Sequence, residues 1–460
     1  MPQTTTAASP ALGIRLEDGP TYAPGDTICG VVYRKAPAVS PKCTVTIQLA
    51  GRAKSKIVVS RGNNSSSTYR GRFNLIPKQG NHHKIFQGPL HVTGQNDEQV
   101  WPFAVTLPTH VNPSYLGALD QESAYIPLST TNHPLPSTFT LHTSGFTEGF
   151  VEYFLHAQLS MMRDSRYTSA ESTLPIKVNS LNPDPPIADF SLRLSRISQL
   201  VTSYRLVPGM EDAKLSFSQK MKQTFSTSSV PEFSFTLEVE VPTKLQLDNP
   251  TPLPFRVRAV PKWDKTSDVI KEIPQKIRLT HASLRICSST EVICEGSLYP
   301  HTKDKIMEVD LNVNQALKMH ENEIYIPCTD EWPPLDVGEL ANLHVSRQRG
   351  RAYGSLTENF TTYNIKHTHM LKWALRAEVA EETVDAMGAT HLKLLPASDD
   401  RNQPRAEAGS SSQEVQPPLE QRAASWIHPP EEAEAPPSFA EVQKEDSKAE
   451  FNADSKTNGL

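Results

Sequence analysis

Residues 22–32 read Tyr22-Ala23-Pro24-Gly25-Asp26-Thr27-Ile28-Cys29-Gly30-Val31-Val32. Pro24 presets the first angle of a turn, Gly25 can adopt a positive φ, and Asp26 can bond the backbone of that turn. The Thr, Ile and Val residues that follow favour an extended, half-buried chain. This stretch therefore predicts a tight turn that leads directly into a β-strand.

Similar short strands, separated by turns, continue through the first 180 residues. Residues 44–51 alternate, with Val45, Ile47 and Leu49 on one face, and residues 150–159 are apolar enough for a central strand. No helical pattern of about 10–15 residues separates these strands, which favours a β-sandwich over a parallel α/β sheet. The polar, Ser- and Asn-rich residues 61–72 predict a loop.

A second block of strands follows a proline-rich break at residues 182–186. Residues 233–242 alternate strictly, and residues 361–378 contain another alternating run. Between the break and this block, residues 188–230 fit either a short amphipathic helix or a connecting strand. The sequence therefore predicts an all-β protein with two tandem immunoglobulin-like β-sandwiches.

Composition sets the limits of this prediction. At 460 residues the chain is too long for one core, so two domains with additional segments are expected. A net charge of −5 predicts no bulk attraction to nucleic acid. The polar N-terminus does not resemble a secretory signal, and five widely spaced cysteines are typical of reduced thiols in the cytoplasm.

The last part of the chain differs in composition from the rest. Beyond Ala397, Pro, Glu, Ser, Gln, Ala and Lys dominate, so too little apolar area is available to offset the entropy of ordering. We therefore divide the chain into five segments: a disordered N-terminus (1–11), a first domain (12–180), a connector (181–230), a second domain (231–396) and a disordered tail (397–460).

The order of several motifs resembles the arrestin family, and within it the fungal, alpha-arrestin branch. In the first domain the resemblance rests on the Y-x-P-G-D turn at 22–32, the strand ending in Gly51-Arg52, the segment Pro102–Pro108, and the pattern Gly149, Val151, Tyr153, Leu155, Ala157. In the second domain it rests on residues 230–235, 363–365 and 371–373. The resemblance covers about residues 12–395 and implies two arrestin-type sandwiches.

The resemblance also implies a function. Members of this branch are adaptors that dock on plasma-membrane transporters or receptors and recruit a HECT-type ubiquitin ligase, so that the cargo is ubiquitinated and endocytosed. We therefore expect a cytoplasmic, non-catalytic protein that is recruited to the plasma membrane or to endosomes. Peripheral contact with anionic lipid is one hypothesis for the basic connector residues, and a solvated linker is the alternative; these residues are Arg193, Arg196, Lys214, Lys220 and Lys222.

Ligase recruitment in this family uses PPxY motifs, which insert into WW domains as pre-extended proline-rich segments. The tail contains Pro436-Pro437-Ser438-Phe439, in which Phe replaces Tyr. The ring can still fill its pocket, but the missing hydroxyl costs roughly 0.5–1.5 kcal/mol. Pro436, Pro437 and Phe439 are therefore the candidate ligase-binding residues, and a chance Pro-Pro pair is the alternative.

Cargo binding has four candidate residues. Arrestin first domains accept acidic or phosphorylated cargo tails on basic strand edges, and Arg15, Arg34, Arg52 and Lys54 could supply those charges. The alternative is ordinary solubilising charge.

Catalytic and metal motifs are absent from the sequence. It contains no H-E-x-x-H, G-x-S-x-G, G-x-G-x-x-G or Walker motif, and we expect no cofactor. His367 and His369 would share a strand face, but a packed or surface pair is the more economical interpretation because no third ligand is evident.

Two other functions remain alternatives. One is an arrestin-fold scaffold or vesicle-trafficking subunit without ligase recruitment. The other is an enzyme on a β-sandwich, which would need clustered carboxylates and aromatic platforms, whereas the five tryptophans are scattered along the chain.

Overall fold

A computed structural model describes most of the chain up to residue 402. The described residues are 3–7, 11–62, 65–76, 82–94, 97–111, 123–130, 133–143, 147–163, 166–211, 213–224, 229–296, 298–329, 331–347 and 356–402. We call the described residues up to 182 the first half and those from 187 onward the second half.

The first half is built from strands. In chain order they are β1 (Gly13–Leu16), β2 (Thr21–Tyr22), β3 (Thr27–Arg34), β4 (Ala38–Gly62), β5 (Ser65–Ile76), β6 (His82–Val92), β7 (Gln99–Thr106), β8 (His110–Val111), β9 (His133–Pro134), β10 (Phe139–Thr143), β11 (Thr147–Arg163) and β12 (Arg166–Val178). The turn predicted at residues 24–26 is present, with Gly25 at φ 95°, and it leads into β3.

Two main sheets organise these strands. A small sheet has the order β1-β3-β7, and a seven-stranded sheet has the order β2-β12-β11-β4-β5, with β10 paired to β11 and β6 paired to β4. The long strand β4 lies in the interior of the larger sheet, beside its central strand β11. One of its sides pairs with β11, and the other pairs first with β6 and then with β5.

The second half repeats this arrangement. Its strands are β13 (Leu192–Thr202), β14 (Glu232–Pro242), β15 (Lys244–Gln246), β16 (Arg256–Pro261), β17 (Ile277–Cys294), β18 (His301–Asp310), β19 (Tyr325–Ile326), β20 (Leu335–Asp336), β21 (Phe360–Thr361), β22 (Ile365–Val379) and β23 (Glu382–Leu395). Three short helices accompany them: α1 (Phe217–Thr224), α2 (Val313–Leu317) and α3 (Val337–Leu340).

The sheets of the second half are also one small and one large. The small sheet has the order β13-β14-β16-β20. The seven-stranded sheet has the order β15-β23-β22-β17-β18, with β19 paired to β17 and β21 paired to β22. Each large sheet carries a parallel pair at one end, β2 with β12 and β15 with β23, whereas its long strands pair antiparallel. The prediction of an all-β fold is confirmed.

Each half has its own hydrophobic core, which is formed by both of its sheets. In the first half, Ile28 of the small sheet and Leu49 of the large sheet are both fully buried. In the second half, Phe235 of the small sheet and Leu284 of the large sheet are likewise fully buried. The period-two pattern of the sequence explains this burial, because alternate side chains of a strand point to one face.

The two cores meet at a buried junction. The Ser55 hydroxyl donates to the carbonyl of Ile293 over 2.7 Å, and the Asn364 amide donates to the Ser55 oxygen over 3.0 Å. The first core also includes Val292 and Ile365 of the second half. Apolar contacts and the hydrogen bonds of Ser55 thus join the two halves at this junction.

Two local expectations need correction or completion. Most of the loop predicted at residues 61–72 is strand: residues 61 and 62 end β4, and residues 65–72 belong to β5, which pairs with residues 51–62 of β4. For the connector the sequence allowed either a short helix or a strand, and both are present: residues 192–202 form β13 and residues 217–224 form α1. Since β13 pairs along its whole length with β14, it belongs to the small sheet of the second half.

Two terminal segments that we predicted to be disordered are partly described. Residues 3–7 lie against the large sheet of the first half, where the backbone of Ala7 bridges to Thr173. Residues 397–402 return to the first half, where the Asn182 amide donates to the Ala397 carbonyl over 2.8 Å. Residues 403–460 lie outside the described residues. Within the described ranges, no helix has the length and apolarity needed to cross a membrane.

Candidate functional site

The four predicted cargo-binding residues fall into two separate places. Arg52 and Lys54 lie on β4 in the large sheet, whereas Arg15 lies on β1 and Arg34 on β3 in the small sheet. The structure therefore brings Arg52 and Lys54 together and separates them from the other two.

Arg34 and Arg15 have local partners. Arg34 is buried and donates to the carbonyls of Ala11 (2.6 Å) and Pro37 (3.3 Å), and burial lowers the pKa of its guanidinium. Arg15 is exposed and pairs with Glu98 over 3.3 Å. Arg34 thus holds the chain segment before β1 against the segment after β3.

Arg52 and Lys54 belong to a larger set of basic residues, which we call the basic face. Strand alternation directs Ala53, Ser55 and Ile57 of β4 into the protein and leaves the intervening basic residues on the opposite side. The register places Lys54 opposite Arg72, and Lys56 opposite Arg70, on β5. The basic face consists of Arg52, Lys54, Lys56, Arg70 and Arg72.

Two carboxylates on the neighbouring strand β11 pair with this face. Glu152 accepts from the Arg52 guanidinium and lies 3.6 Å from the Lys54 ammonium, and Glu148 lies 3.1 Å from the Lys56 ammonium. On the described parts of β4 and β11, these two carboxylates therefore pair with three of the five cations of the basic face.

Aromatic rings lie beside the cations. The guanidinium carbon of Arg52 is 5.0 Å from the ring centroid of Phe154, and the Lys54 ammonium is 5.3 Å from that of Phe150. Lys54 is only 4% exposed. Burial, followed by repulsion from Arg52, lowers the pKa of Lys54 to about 8, although Glu152 partly opposes the shift.

This chemistry suits the binding of anions. Arg and Lys side chains are hydrogen-bond donors only, and a guanidinium can hold a carboxylate or phosphate through two parallel bonds. Because Arg52 and Lys54 are held by aromatic rings and by Glu152, a bound anion would meet groups that are already oriented.

An extended segment of the chain lies on the basic face. The Thr4 amide donates to Glu152 over 2.7 Å, and Arg52 donates to the Thr4 hydroxyl over 2.8 Å. On either side of Thr4, the Gln3 amide donates to the Thr140 hydroxyl over 2.6 Å, and Ala7 bridges to β12. Residues 3–7 thus occupy part of the face.

The sequence prediction named only two members of the basic face. The alternation Arg52-x-Lys54-x-Lys56 was visible, but the prediction of a loop over residues 61–72 hid Arg70 and Arg72. Glu152 carried no signal of its own, because its importance comes from the pairing of β11 with β4.

The histidines considered as a metal pair are part of the packing. His367 and His369 are both buried, and hydrogen bonds of 2.8 Å join them to Thr290 and Asn359 respectively. Burial lowers the pKa of His367 to about 4 and that of His369 to about 3. In the described part of the chain, no group of three or more His, Cys, Asp or Glu side chains could hold a metal ion.

The candidate ligase-binding residues Pro436, Pro437 and Phe439 lie outside the described residues. All five cysteines are free thiols, as the sequence predicts. Neither the known family models nor the curated proteins contain a match to this chain.

Proposed function

We propose that this chain is a non-catalytic adaptor with two tandem arrestin-type β-sandwiches. In this proposal its basic face binds the acidic or phosphorylated cytoplasmic tail of a membrane transporter or receptor. Its C-terminal tail recruits a WW-domain HECT ubiquitin ligase, which then ubiquitinates the bound cargo for endocytosis.

The repeated architecture supports the fold part of the proposal. Each half combines one small and one seven-stranded sheet around its own core, and each large sheet carries a parallel pair at one end. This repetition is what two tandem sandwiches of one type would produce. The ordered motifs of the sequence supply the arrestin assignment.

The basic face is the single observation that carries the functional part. A soluble protein needs surface charge, but it does not need five cations gathered on neighbouring strands with two carboxylates between them. The buried ammonium of Lys54 shares the single carboxylate of Glu152 with Arg52. An acidic or phosphorylated peptide would bring a further anion to these two cations and would gain charge-assisted hydrogen bonds from Arg52 and Arg72.

Cargo binding can be tested with a peptide. We would measure, by fluorescence anisotropy, the affinity of the chain for an acidic 15-residue peptide carrying two phosphothreonines, at two salt concentrations. Arg52→Glu with Lys54→Glu should weaken binding at least tenfold, and added salt should weaken the wild-type interaction. The matched control is Arg15→Glu, which changes an exposed cation on the other sheet. Equal affinity of all three proteins for the peptide would refute the cargo-binding role.

Ligase recruitment has its own test. The full chain, its Phe439→Ala variant and its Phe439→Tyr variant would each be incubated with an immobilised WW domain of a HECT ligase. We expect the Ala variant to lose binding and the Tyr variant to bind more tightly, by up to about tenfold, because the hydroxyl restores one hydrogen bond. Equal retention of all three would mean that residues 436–439 do not recruit the ligase.

One observation favours a second candidate function. The only PPxY-like motif carries Phe439 where a WW domain prefers Tyr. An arrestin-fold scaffold or trafficking subunit that binds cargo without recruiting a ligase would not need a complete PPxY motif. The two candidates differ in one result: the scaffold binds the acidic peptide but no WW domain.

A further inference from the structure

Thr4 occupies an unusual position for a residue so near the start of the chain. Its hydroxyl accepts a hydrogen bond of 2.8 Å from the Arg52 guanidinium, and its amide donates 2.7 Å to a carboxylate oxygen of Glu152. The other oxygen of the same carboxylate lies 3.6 Å from the Lys54 ammonium. The Thr4 side chain is therefore held within the most crowded part of the basic face.

Cations gather around Thr4. Arg52 bonds to its hydroxyl and shares Glu152 with Lys54, and Arg72 lies opposite Lys54 in the register of β4 and β5. Burial, together with repulsion from Arg52 and Arg72, lowers the pKa of Lys54 to about 8, although Glu152 partly opposes the shift. Positively charged groups thus surround the hydroxyl of Thr4, in surroundings partly desolvated by Phe150 and Phe154.

The segment that carries Thr4 can leave the sheet at little cost. Its neighbours Gln3, Thr5, Thr6 and Ala7 are all exposed. Polar contacts hold the segment at Thr140 and at Thr173, and no apolar side chain of residues 3–6 anchors it, because none of these residues has one. An enzyme could therefore reach the Thr4 hydroxyl during brief opening of the segment.

We propose that Thr4 is a phosphorylation site whose phosphate is received by Arg52, Lys54 and Arg72 of the same chain. A protein kinase would transfer the γ-phosphoryl group of ATP to Oγ1 of Thr4. The Oγ1–P bond forms, the bond from γ-phosphorus to the β-phosphate oxygen breaks, the hydroxyl proton passes to the base of the kinase, and ADP leaves. The phosphate then replaces Glu152 as the main partner of Arg52.

Phosphorylation changes the function of the segment in this proposal. A phosphate carries a charge of about −1.5 to −2 and three strong acceptor oxygens, so it binds two arginines and a lysine better than a neutral hydroxyl does. The modified segment closes the basic face. A closed basic face would compete with acidic cargo, and this consequence rests on the proposed function. Binding of the phosphate by residues of the same chain does not depend on the proposed function.

The test follows the phosphate directly. The full chain would be prepared with phosphothreonine at position 4, and the second pKa of the phosphate would be measured by ³¹P NMR titration. Three cations close to the phosphate should lower that pKa by about one unit relative to the free phosphopeptide 1–12. A full chain with phosphothreonine at the exposed Thr6 is the matched control and should titrate as the peptide does.

A second variant and a second measurement protect the test from misfolding. In the chain phosphorylated at Thr4, Arg52→Gln with Lys54→Gln should return the phosphate pKa toward that of the peptide. Hydrogen exchange at the Ala7 amide, which bonds to Thr173 over 2.9 Å, should slow on phosphorylation of Thr4 and not of Thr6. A Thr4 phosphate that titrates like the Thr6 control, with unchanged exchange at Ala7, overturns the proposal. That outcome would leave the peptide-binding test of the adaptor function unaffected.

Discussion

Arg401 donates a hydrogen bond of 2.7 Å to the carboxylate of Asp26, which lies 375 residues earlier in the chain. Asp26 belongs to the turn that precedes β3, where its carboxylate also accepts from the amide of Ala23 over 2.7 Å. Arg401 is itself fixed by Asp399, through bonds of 2.7 and 2.8 Å. The last described residues of the chain are thus tied to the turn of the first half from which the fold was predicted.

Replacement of Arg401 should loosen this connection without unfolding the protein. Arg401→Gln removes the ion pairs that a half-exposed side chain makes with Asp26 and Asp399, so we expect no more than about 1 kcal/mol of lost stability. The Asp399 and Asn182 amides, which bond across the two segments, should exchange faster with deuterium. Arg376→Gln is the control, because Arg376 is about as exposed as Arg401 and loses its pair with Asp385. If Arg401→Gln leaves hydrogen exchange at Asp399 as unchanged as the control does, the bond from Arg401 to Asp26 does not hold the segment in place.

The junction between the halves should be sensitive to one added methyl group. A β-carbon on Gly149 would lie 2.8 Å from a methyl carbon of Val292 in the second half, so one side must shift. We expect Gly149→Ala to destabilise the protein by roughly 1–3 kcal/mol in urea denaturation. Gly19→Ala is the control, because its β-carbon would meet no atom within 4 Å. Equal stability of the two variants would mean that the halves separate easily at this point.

Three buried histidines should make the protein sensitive to acid. Burial lowers the pKa of His133 and His367 to about 4 and that of His369 to about 3. Between pH 6.5 and those values the unfolded chain binds more protons than the folded one, so the free energy of unfolding falls as the pH falls.

A single substitution can isolate one of these histidines. His133→Phe keeps an aromatic ring beside Tyr363 but removes the titration. Between pH 7 and pH 5 this variant should lose on the order of 2 kcal/mol less stability than the wild type, measured from urea midpoints. The exposed His91, changed to Gln, is the control and should retain the wild-type slope. If stability of His133→Phe depends on pH as that of the wild type does, His133 does not contribute to the acid sensitivity.

Lys54 should produce a slope of the same sign at alkaline pH. Its pKa in the folded state is about 8, so above this value the unfolded chain binds more protons and stability rises with pH. From pH 7 to 9.5 the gain should be on the order of 2 kcal/mol, and Lys54→Met should abolish it. The control Lys177→Met, at an exposed site, should leave this gain in stability unchanged. A wild-type pH profile in Lys54→Met would contradict the buried, charge-crowded environment of the ammonium.

The sequence predicts strands well where burial follows a period of two. Residues 233–242 and 150–159 are strands because alternate or nearly continuous apolar residues must face a core, and this pattern is local. The same reasoning failed for residues 65–72, which are polar on the exposed face and are held in β5 by their long partner β4. Edge strands of this kind follow from tertiary pairing rather than from their own residues.

The candidate site was only partly predictable for the same reason. Arg52 and Lys54 stand close in sequence, and their shared face follows from alternation. Arg72 and Glu152 joined them through strand register, which a single sequence does not specify. For Arg34 the sequence suggested too much: its charge indicated a binding role, but its position in the small sheet gives it backbone carbonyls as partners.

The central claim is that one chain joins an acidic cargo tail to a ubiquitin ligase, and a bridging assay tests it most directly. Beads carrying the doubly phosphorylated peptide would be incubated with the full chain and a soluble WW domain of a HECT ligase, and the WW domain retained on the beads would be measured. We predict retention with the wild-type chain, and a loss of at least tenfold both with Arg52→Glu and Lys54→Glu and with Phe439→Ala. Arg15→Glu should retain the WW domain as the wild type does. No retention with the wild-type chain, or equal retention with all variants, would contradict the account.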